Sequence, residues 1–130
     1  MTIPEILESY KTIAVVGISA KEGRPALYVP DYMRAQGYTI IPVNPTLTEW
    51  QGIKAYPDLK SIPASEKIEI VNIFRKPEDV PPVVDDAIAV GAKVVWMQSG
   101  IVNETAAAKA RAAGIEVVMD RCIMMEHKNG

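Results

Sequence analysis

The sequence predicts one α/β domain built on a doubly wound sheet of five parallel strands with helices on both faces. Short runs of β-branched and small apolar residues have the length and composition of strands buried on both faces. Longer segments with helical spacing of apolar residues separate these runs, and this alternation implies parallel strands joined by right-handed crossovers. The 130 residues, 48% of them hydrophobic, are enough for a single core, so no second domain is expected.

The elements follow one another without an internal repeat. Predicted strands occupy residues 13–16, 38–43, 69–74, 93–97 and 116–119. Predicted helices occupy residues 3–10, 26–36, a segment from about 77 to 90, and 103–114. Segment 46–63 is expected to be a crossover loop with one short helix over 57–61, and the residues after 122 are expected to be a short tail. This is a Rossmann-like arrangement.

Three prolines qualify these assignments. Pro25 is well placed to open the second helix, because a first-turn residue needs no N–H group. Pro30 predicts either a kink in that helix or a later start. Pro42 predicts that the second strand lies near an edge of the sheet or ends early.

In such sheets ligands bind at the carboxyl ends of the strands, where the strand order reverses. The corresponding turns are residues 17–25, 44–45, 74–77, 98–100 and 120–122. In the first turn, Gly17 ends a buried strand, and Ser19, Lys21 and Arg24 precede the helix that Pro25 opens. Free backbone N–H groups, a hydroxyl and two cations would meet there, which predicts a site for phosphate or diphosphate.

The other turns add groups that suit a phosphorylated ligand. Arg75, Lys76 and Arg121 offer further cations, and Phe74 offers an apolar ring surface. The first loop departs from the G-x-G-x-x-G fingerprint. The second strand ends at Asn44 rather than at a carboxylate that could hold a ribose. Both departures count against a redox protein that uses a dinucleotide such as NAD, which is kept as an alternative.

Composition limits the classes of partner and location. A formal net charge of −2 gives no general attraction for nucleic acid or an anionic membrane, so an anion must be held by a local site. No apolar run has the length of a membrane span, and the first residues lack a signal-peptide pattern. One cysteine excludes an internal disulfide, and we expect a cytoplasmic protein. His127 has no partner at catalytic or metal-ligand spacing, so neither a metal nor a catalytic site is predicted.

Five short motifs, in order along the chain, carry a resemblance to a known family. They are Val16-Gly17-Ile18-Ser19 with Arg24-Pro25, then residues 42–45, 73–77, 98–101 and 120–127. This succession closely resembles the small stand-alone CoA-binding proteins, which are similar to the CoA-binding domain of the succinyl-CoA synthetase alpha subunit. The resemblance implies a small-molecule ligand, coenzyme A or an acyl-CoA.

The resemblance also implies which residues contact CoA. It indicates the first loop, the turn after the second strand and the turn after the fourth strand. The residues it implies are Ser19, Ala20, Lys21, Glu22, Asn44, Pro45, Met97, Gln98 and Ser99. Together with the groups singled out above, the candidate site is Gly17, Ile18, Ser19, Ala20, Lys21, Glu22, Arg24, Pro25, Asn44, Pro45, Phe74, Arg75, Lys76, Met97, Gln98, Ser99, Arg121 and Cys122.

Two departures from the family bear on function. The synthetase has its phosphorylated histidine in a second domain that is absent here, and His127 matches no such motif, so the resemblance implies binding and not ligase activity. A lysine that follows the second turn in many relatives has no counterpart, because Thr46 and Leu47 stand there. An interaction module with a vestigial nucleotide cleft is therefore a further alternative.

Cys122 has two interpretations. Lone cysteines are usually buried apolar residues, but this one ends a strand at the predicted rim beside Arg121, whose charge favours the thiolate. A mixed disulfide with the CoA thiol is the alternative to a structural role.

Overall fold

The computed structural model describes all residues, Met1–Gly130, and confirms the predicted sheet. Seven strands form: β1 (Thr12–Val16), β2 (Thr39–Val43), β3 (Glu49–Trp50), β4 (Ile53–Lys54), β5 (Ile70–Ile73), β6 (Val94–Met97) and β7 (Glu116–Val118). Five of them make one parallel sheet in the order β2-β1-β5-β6-β7. The chain moves outward from β1 to β2 and then returns to β5 on the other side of β1. The strand order therefore reverses between β1 and β5.

Five α-helices cover the sheet: α1 (Ile3–Ser9), α2 (Pro25–Ala35), α3 (Val80–Ala89), α4 (Glu104–Ala112) and α5 (Ile123–Asn129). Alternate residues of each strand face opposite layers. In β1, Ile13 and Val15 pack into the core beneath α1, α2 and α5, while Ala14 and Val16 pack into the core beneath α3 and α4. Burial on both faces explains why these strands are continuous apolar runs.

Capping fixes two of the helix starts. Asn103 accepts a hydrogen bond from the N–H of Ala106 at 2.9 Å and begins α4, as its sequence predicts. Thr2 and Glu5 form a reciprocal capping box at α1. The bond that Glu5 accepts from the backbone N–H of Thr2 holds the pKa of this carboxyl below its usual value.

Three of the expectations need correction. Helix α2 starts at Pro25 and runs through Pro30, so the later start is wrong. The expected loop after β2 contains a small antiparallel hairpin, β3 with β4, before a 3-10 turn at Leu59–Ser61. The expected tail is helix α5, whose Ile123 is fully buried against the α2 layer. Strand β2 does lie at an edge, as Pro42 predicts.

No helix has the length and apolar character of a bilayer span.

Candidate functional site

The first loop, residues 17–24, begins where β1 ends, at the reversal of strand order. Gly17 has a φ of +88°, and its N–H donates to the carbonyl of Val43 in β2 at 2.9 Å. A side chain cannot fit here, because a Cβ atom on Gly17 would lie 2.2 Å from the carbonyl oxygen of Phe74. The loop therefore leaves the sheet at the junction of β1 and β5, at the carboxyl end where open parallel sheets bind ligands.

This loop and the first turn of α2 contain main-chain donors that the protein leaves unpaired. The N–H groups of Ala20, Glu22, Gly23 and Ala26 donate to no protein acceptor. Arg24 is the N-cap of α2, and its side chain does not cap the helix. Unpaired N–H groups at a helix N-terminus carry partial positive charge and are suited to an anion such as phosphate.

Side-chain groups in the loop add to this character. Lys21 and Arg24 are exposed and form no ion pair. The hydroxyl of Ser19 accepts the N–H of Lys21 at 2.9 Å, and its own proton has no protein acceptor. The structure thus brings together the cations, hydroxyl and free amides that the sequence predicts for a phosphate site.

Three hydrogen bonds hold the loop in place. The indole Nε1 of Trp50 donates to the carbonyl of Ser19 at 2.9 Å, and Nδ2 of Asn44 donates to the carbonyl of Ile18 at 2.7 Å. The N–H of Ser19 donates to the carbonyl of Ala26 at 3.0 Å. In an unbroken helix the residue four positions on would donate to Ala26, but Pro30 has no N–H. Pro30 therefore leaves this carbonyl available to the loop.

Trp50 was not among the candidate site residues. It lies in β3, is 1% exposed and packs in the core beneath the loop. Its role depends on the hairpin that brings β3 under the loop, and the sequence gives little sign of that hairpin.

An apolar cleft of about 400 Å³ opens beside the loop on the α2 and α5 side of the sheet. We call this the acyl-side cleft. Its lining residues come from α2, from the turns after β5, β6 and β7, and from α5. They are Pro25, Tyr28, Val29, Phe74, Gln98, Ser99, Ile101, Cys122, Met124 and Met125.

A second cleft, of about 150 Å³, opens on the other side of the sheet. We call this the small cleft. It is lined by Val16, Val43, Pro45, Pro57, Asp58, Leu59, Arg75, Val83 and Asp86. Phe74 and Arg75 thus lie in different clefts, because successive residues leaving a strand point to opposite faces.

Several candidate residues serve the protein itself. The side chains of Ile18 and Met97 are fully buried, so a ligand could reach only their main-chain atoms. Gln98 is buried, and its Oε1 accepts the N–H of Ile123 at 2.9 Å, which ties the turn after β6 to α5. Oδ1 of Asn44 accepts the N–H and hydroxyl of Thr46, each at 2.8 Å.

The remaining candidates lie at the same rim. Ala20, Glu22, Pro45, Lys76, Ser99 and Arg121 are exposed. Cys122 is a half-buried free thiol that lines the acyl-side cleft immediately before α5. Sequence reasoning missed Tyr28, Val29, Ile101, Met124 and Met125 as cleft residues. The helical spacing of Ile123, Met124 and His127 is the signal that could have found the helix that carries two of them.

A larger groove, of about 490 Å³, lies at the opposite edge of the sheet, between residues 62–69 and the end of α3. Two cations, Lys67 and Lys93, line it, but so do the last residues of α3, where the helix dipole opposes an anion. It is also remote from the reversal of strand order, so we assign the candidate site to the carboxyl edge. No group of three or more His, Cys, Asp or Glu side chains could hold a metal ion.

A family model described as CoA binding domain matches residues 11–128, which is nearly the whole chain. The chain belongs to this family. The uncharacterized protein YneT of Bacillus subtilis (strain 168) is 44% identical over 125 residues, covering 96% of this chain and 91% of YneT. The family match confirms the resemblance found in the motifs.

Solved structures share the fold. A hypothetical protein from Pyrococcus horikoshii OT3 has a TM-score of 0.93 and 46% identity, over 98% of this chain and 88% of that one. An acetyl-coenzyme A synthetase 1 from Ca. Korarchaeum cryptofilum, in complex with phosphate and ADP, has a TM-score of 0.73 and 25% identity. The match covers 85% of this chain but 26% of the synthetase. The present fold therefore corresponds to one part of that larger protein.

Proposed function

We propose that this CoA-binding domain binds CoA or acyl-CoA as a ligand, without catalysing a reaction on it. The observation that carries the proposal is the set of unpaired amides at Ala20, Glu22, Gly23 and Ala26, in the loop and helix start that follow β1 at the reversal of strand order. The diphosphate of CoA is the group that fits these donors, with Ser19, Lys21 and Arg24 completing the site.

The two clefts suit the two ends of such a ligand. The small cleft has apolar walls from Val43 and Pro45 for an adenine ring, and Asp58 and Asp86 offer acceptors for its amino group. Arg75 lines this cleft and exposed Lys76 follows it, so two cations are available for the remaining phosphate of CoA. The pantetheine arm would then extend from the loop into the acyl-side cleft, past Phe74 and Ser99 toward Cys122.

The alternative of an NAD-type redox protein is weaker. Such a protein needs a carboxylate after the second strand to hold a ribose, and Asn44 stands there. Both functional groups of this amide already bind within the protein, to Ile18 and Thr46. The oxygen and one of the two amide N–H donors are therefore engaged, and Asn44 has no carboxylate to accept the two hydroxyls of a ribose.

We expect CoA to stabilise the folded chain. Free CoA at one hundred times its Kd raises the free energy of unfolding by about 2.7 kcal/mol, because only the folded state has the site. Thermal melts with CoA, with NADH and without ligand test this, since NADH shares a diphosphate and an adenosine with CoA. Stabilisation by CoA and not by NADH is the expected result. An unchanged melting temperature at millimolar CoA, or equal stabilisation by NADH, would contradict the proposal.

A further inference from the structure

We propose that the acyl-side cleft binds the acyl group of an acyl-CoA and selects uncharged, apolar acyl groups over those that end in a carboxylate. This inference rests on the proposed function, because it needs the diphosphate on the first loop. It adds a substrate class that the phosphate site alone does not determine.

The composition of the cleft carries the inference. None of its ten lining side chains is charged, and the polar ones are confined to Gln98, Ser99, Cys122 and the hydroxyl of Tyr28. Gln98 already uses its Oε1 to accept the N–H of Ile123. A carboxylate placed against these side chains would give up part of its hydration and meet no cationic side chain, which is unfavourable.

Exposed apolar side chains at the cleft also favour an apolar acyl group. Tyr28 and Met125 are each 45% exposed, on α2 and α5, and face a shared space with half-buried Ile101 and Met124. A pantetheine arm with two amides and a thiol makes poor use of this surface. An apolar acyl chain on the sulfur would cover it, and two flexible methionines can adapt to chains of different length.

The cleft also adjoins the first loop. Pro25, the first residue of α2, directly follows the loop and lines the cleft, while Phe74 approaches Gly17 at its inner end. A volume of about 400 Å³ is within the usual range of small-molecule pockets. The arm of a CoA bound at the loop therefore has a direct route to this space.

Calorimetric titrations with CoA, butyryl-CoA and succinyl-CoA test the inference. Butyryl and succinyl groups both have four carbons and differ in the terminal carboxylate. A reducing agent is included, because Cys122 shares the cleft and free CoA carries a thiol. Each buried methylene adds about fourfold in affinity, so butyryl-CoA is expected to bind at least about tenfold more tightly than CoA. Succinyl-CoA is expected to bind no more tightly than CoA.

Met125→Lys provides a variant with the reverse expectation. Met125 is half exposed, so a lysine fits without disturbing the core, and it adds a cation to a lining that has none. The variant is expected to bind succinyl-CoA more tightly than butyryl-CoA. Val102→Lys is the matched control, because Val102 is 42% exposed and lies outside the cleft lining. It should keep the wild-type order of affinities.

Each outcome decides between specific claims. Equal affinity for CoA and butyryl-CoA overturns the acyl inference and leaves CoA binding intact. An unchanged order of affinities in folded Met125→Lys, verified by its melting temperature, also overturns it. Failure of all three ligands to bind removes the proposed function together with the inference.

Discussion

Replacing Gly17 by alanine is expected to destabilise the fold by about 3 to 5 kcal/mol, or to prevent folding. The new Cβ would lie 2.2 Å from the carbonyl oxygen of Phe74. The backbone fixes the positions of both atoms, so no rotamer change can separate them. Phe74 is itself fixed, since its N–H donates to the carbonyl of Val16 at 2.8 Å. A residue with a side chain also pays a conformational cost at a positive φ, and this cost adds to that of the overlap.

The matched control for this variant is Gly23→Ala. Gly23 has a φ of +83°, close to that of Gly17, but a Cβ there would meet nothing within 4 Å. It is therefore expected to cost only the conformational term, about 1 to 2 kcal/mol. Urea denaturation of both variants measures the difference. Equal losses in the two would show that the contact between the first loop and β5 is not the constraint we describe.

Reversing the charge of Lys21 and Arg24 together, to glutamate, is expected to weaken CoA binding by at least about 100-fold. Hydrogen bonds to charged groups contribute about 1.5 to 3 kcal/mol each, and the variant replaces two such donors with repulsion of the diphosphate. Both side chains are exposed and unpaired, so stability should change little. Titration calorimetry at low and at physiological salt measures the affinity and how far salt screens the attraction between the cations and the diphosphate.

Lys93→Glu is the control for the reversal of charge. Lys93 is also exposed, but it lies at the opposite edge of the sheet, so its replacement should leave CoA affinity within about twofold at physiological salt. Unchanged CoA binding in the double variant would remove the loop from the site. Together with loss of a protein partner, that result would favour the alternative of an interaction module with a vestigial cleft.

The sheet could be predicted because each strand is recognisable from its own residues. Runs such as residues 13–16 and 94–97 are apolar at every position, which is typical of strands covered on both faces. The same pattern gave the carboxyl edge and hence the turns that form the site. Pro25 and Asn103 marked two helix starts because each serves a local need of the first turn.

Other elements depend on contacts that the local sequence does not show. The hairpin of β3 and β4 has two residues in each strand and turns at Gln51 and Gly52, where glutamine adopts a positive φ that usually favours asparagine or glycine. Helix α5 begins at Ile123, follows an N-cap residue, Cys122, whose side chain makes no cap, and is held by Ile123 in the core. Tertiary packing therefore determines both elements.

The candidate site shows the same division. Lys21, Arg24 and the helix start are local features, and the sequence predicts their proximity. The two clefts are not local, because the adjacent residues Phe74 and Arg75 face opposite layers of the sheet. Pro30 was interpreted as an interruption of a helix, whereas it leaves the carbonyl of Ala26 free for Ser19.

Amide chemical-shift mapping on addition of CoA tests the central claim most directly. The account predicts that the largest shifts fall on Ala20, Glu22, Gly23 and Ala26, with a second group at Ser99 and residues 122–125. These are the unpaired donors of the first loop and the lining of the acyl-side cleft. Largest shifts along residues 62–68, in the larger groove at the opposite edge of the sheet, would contradict it.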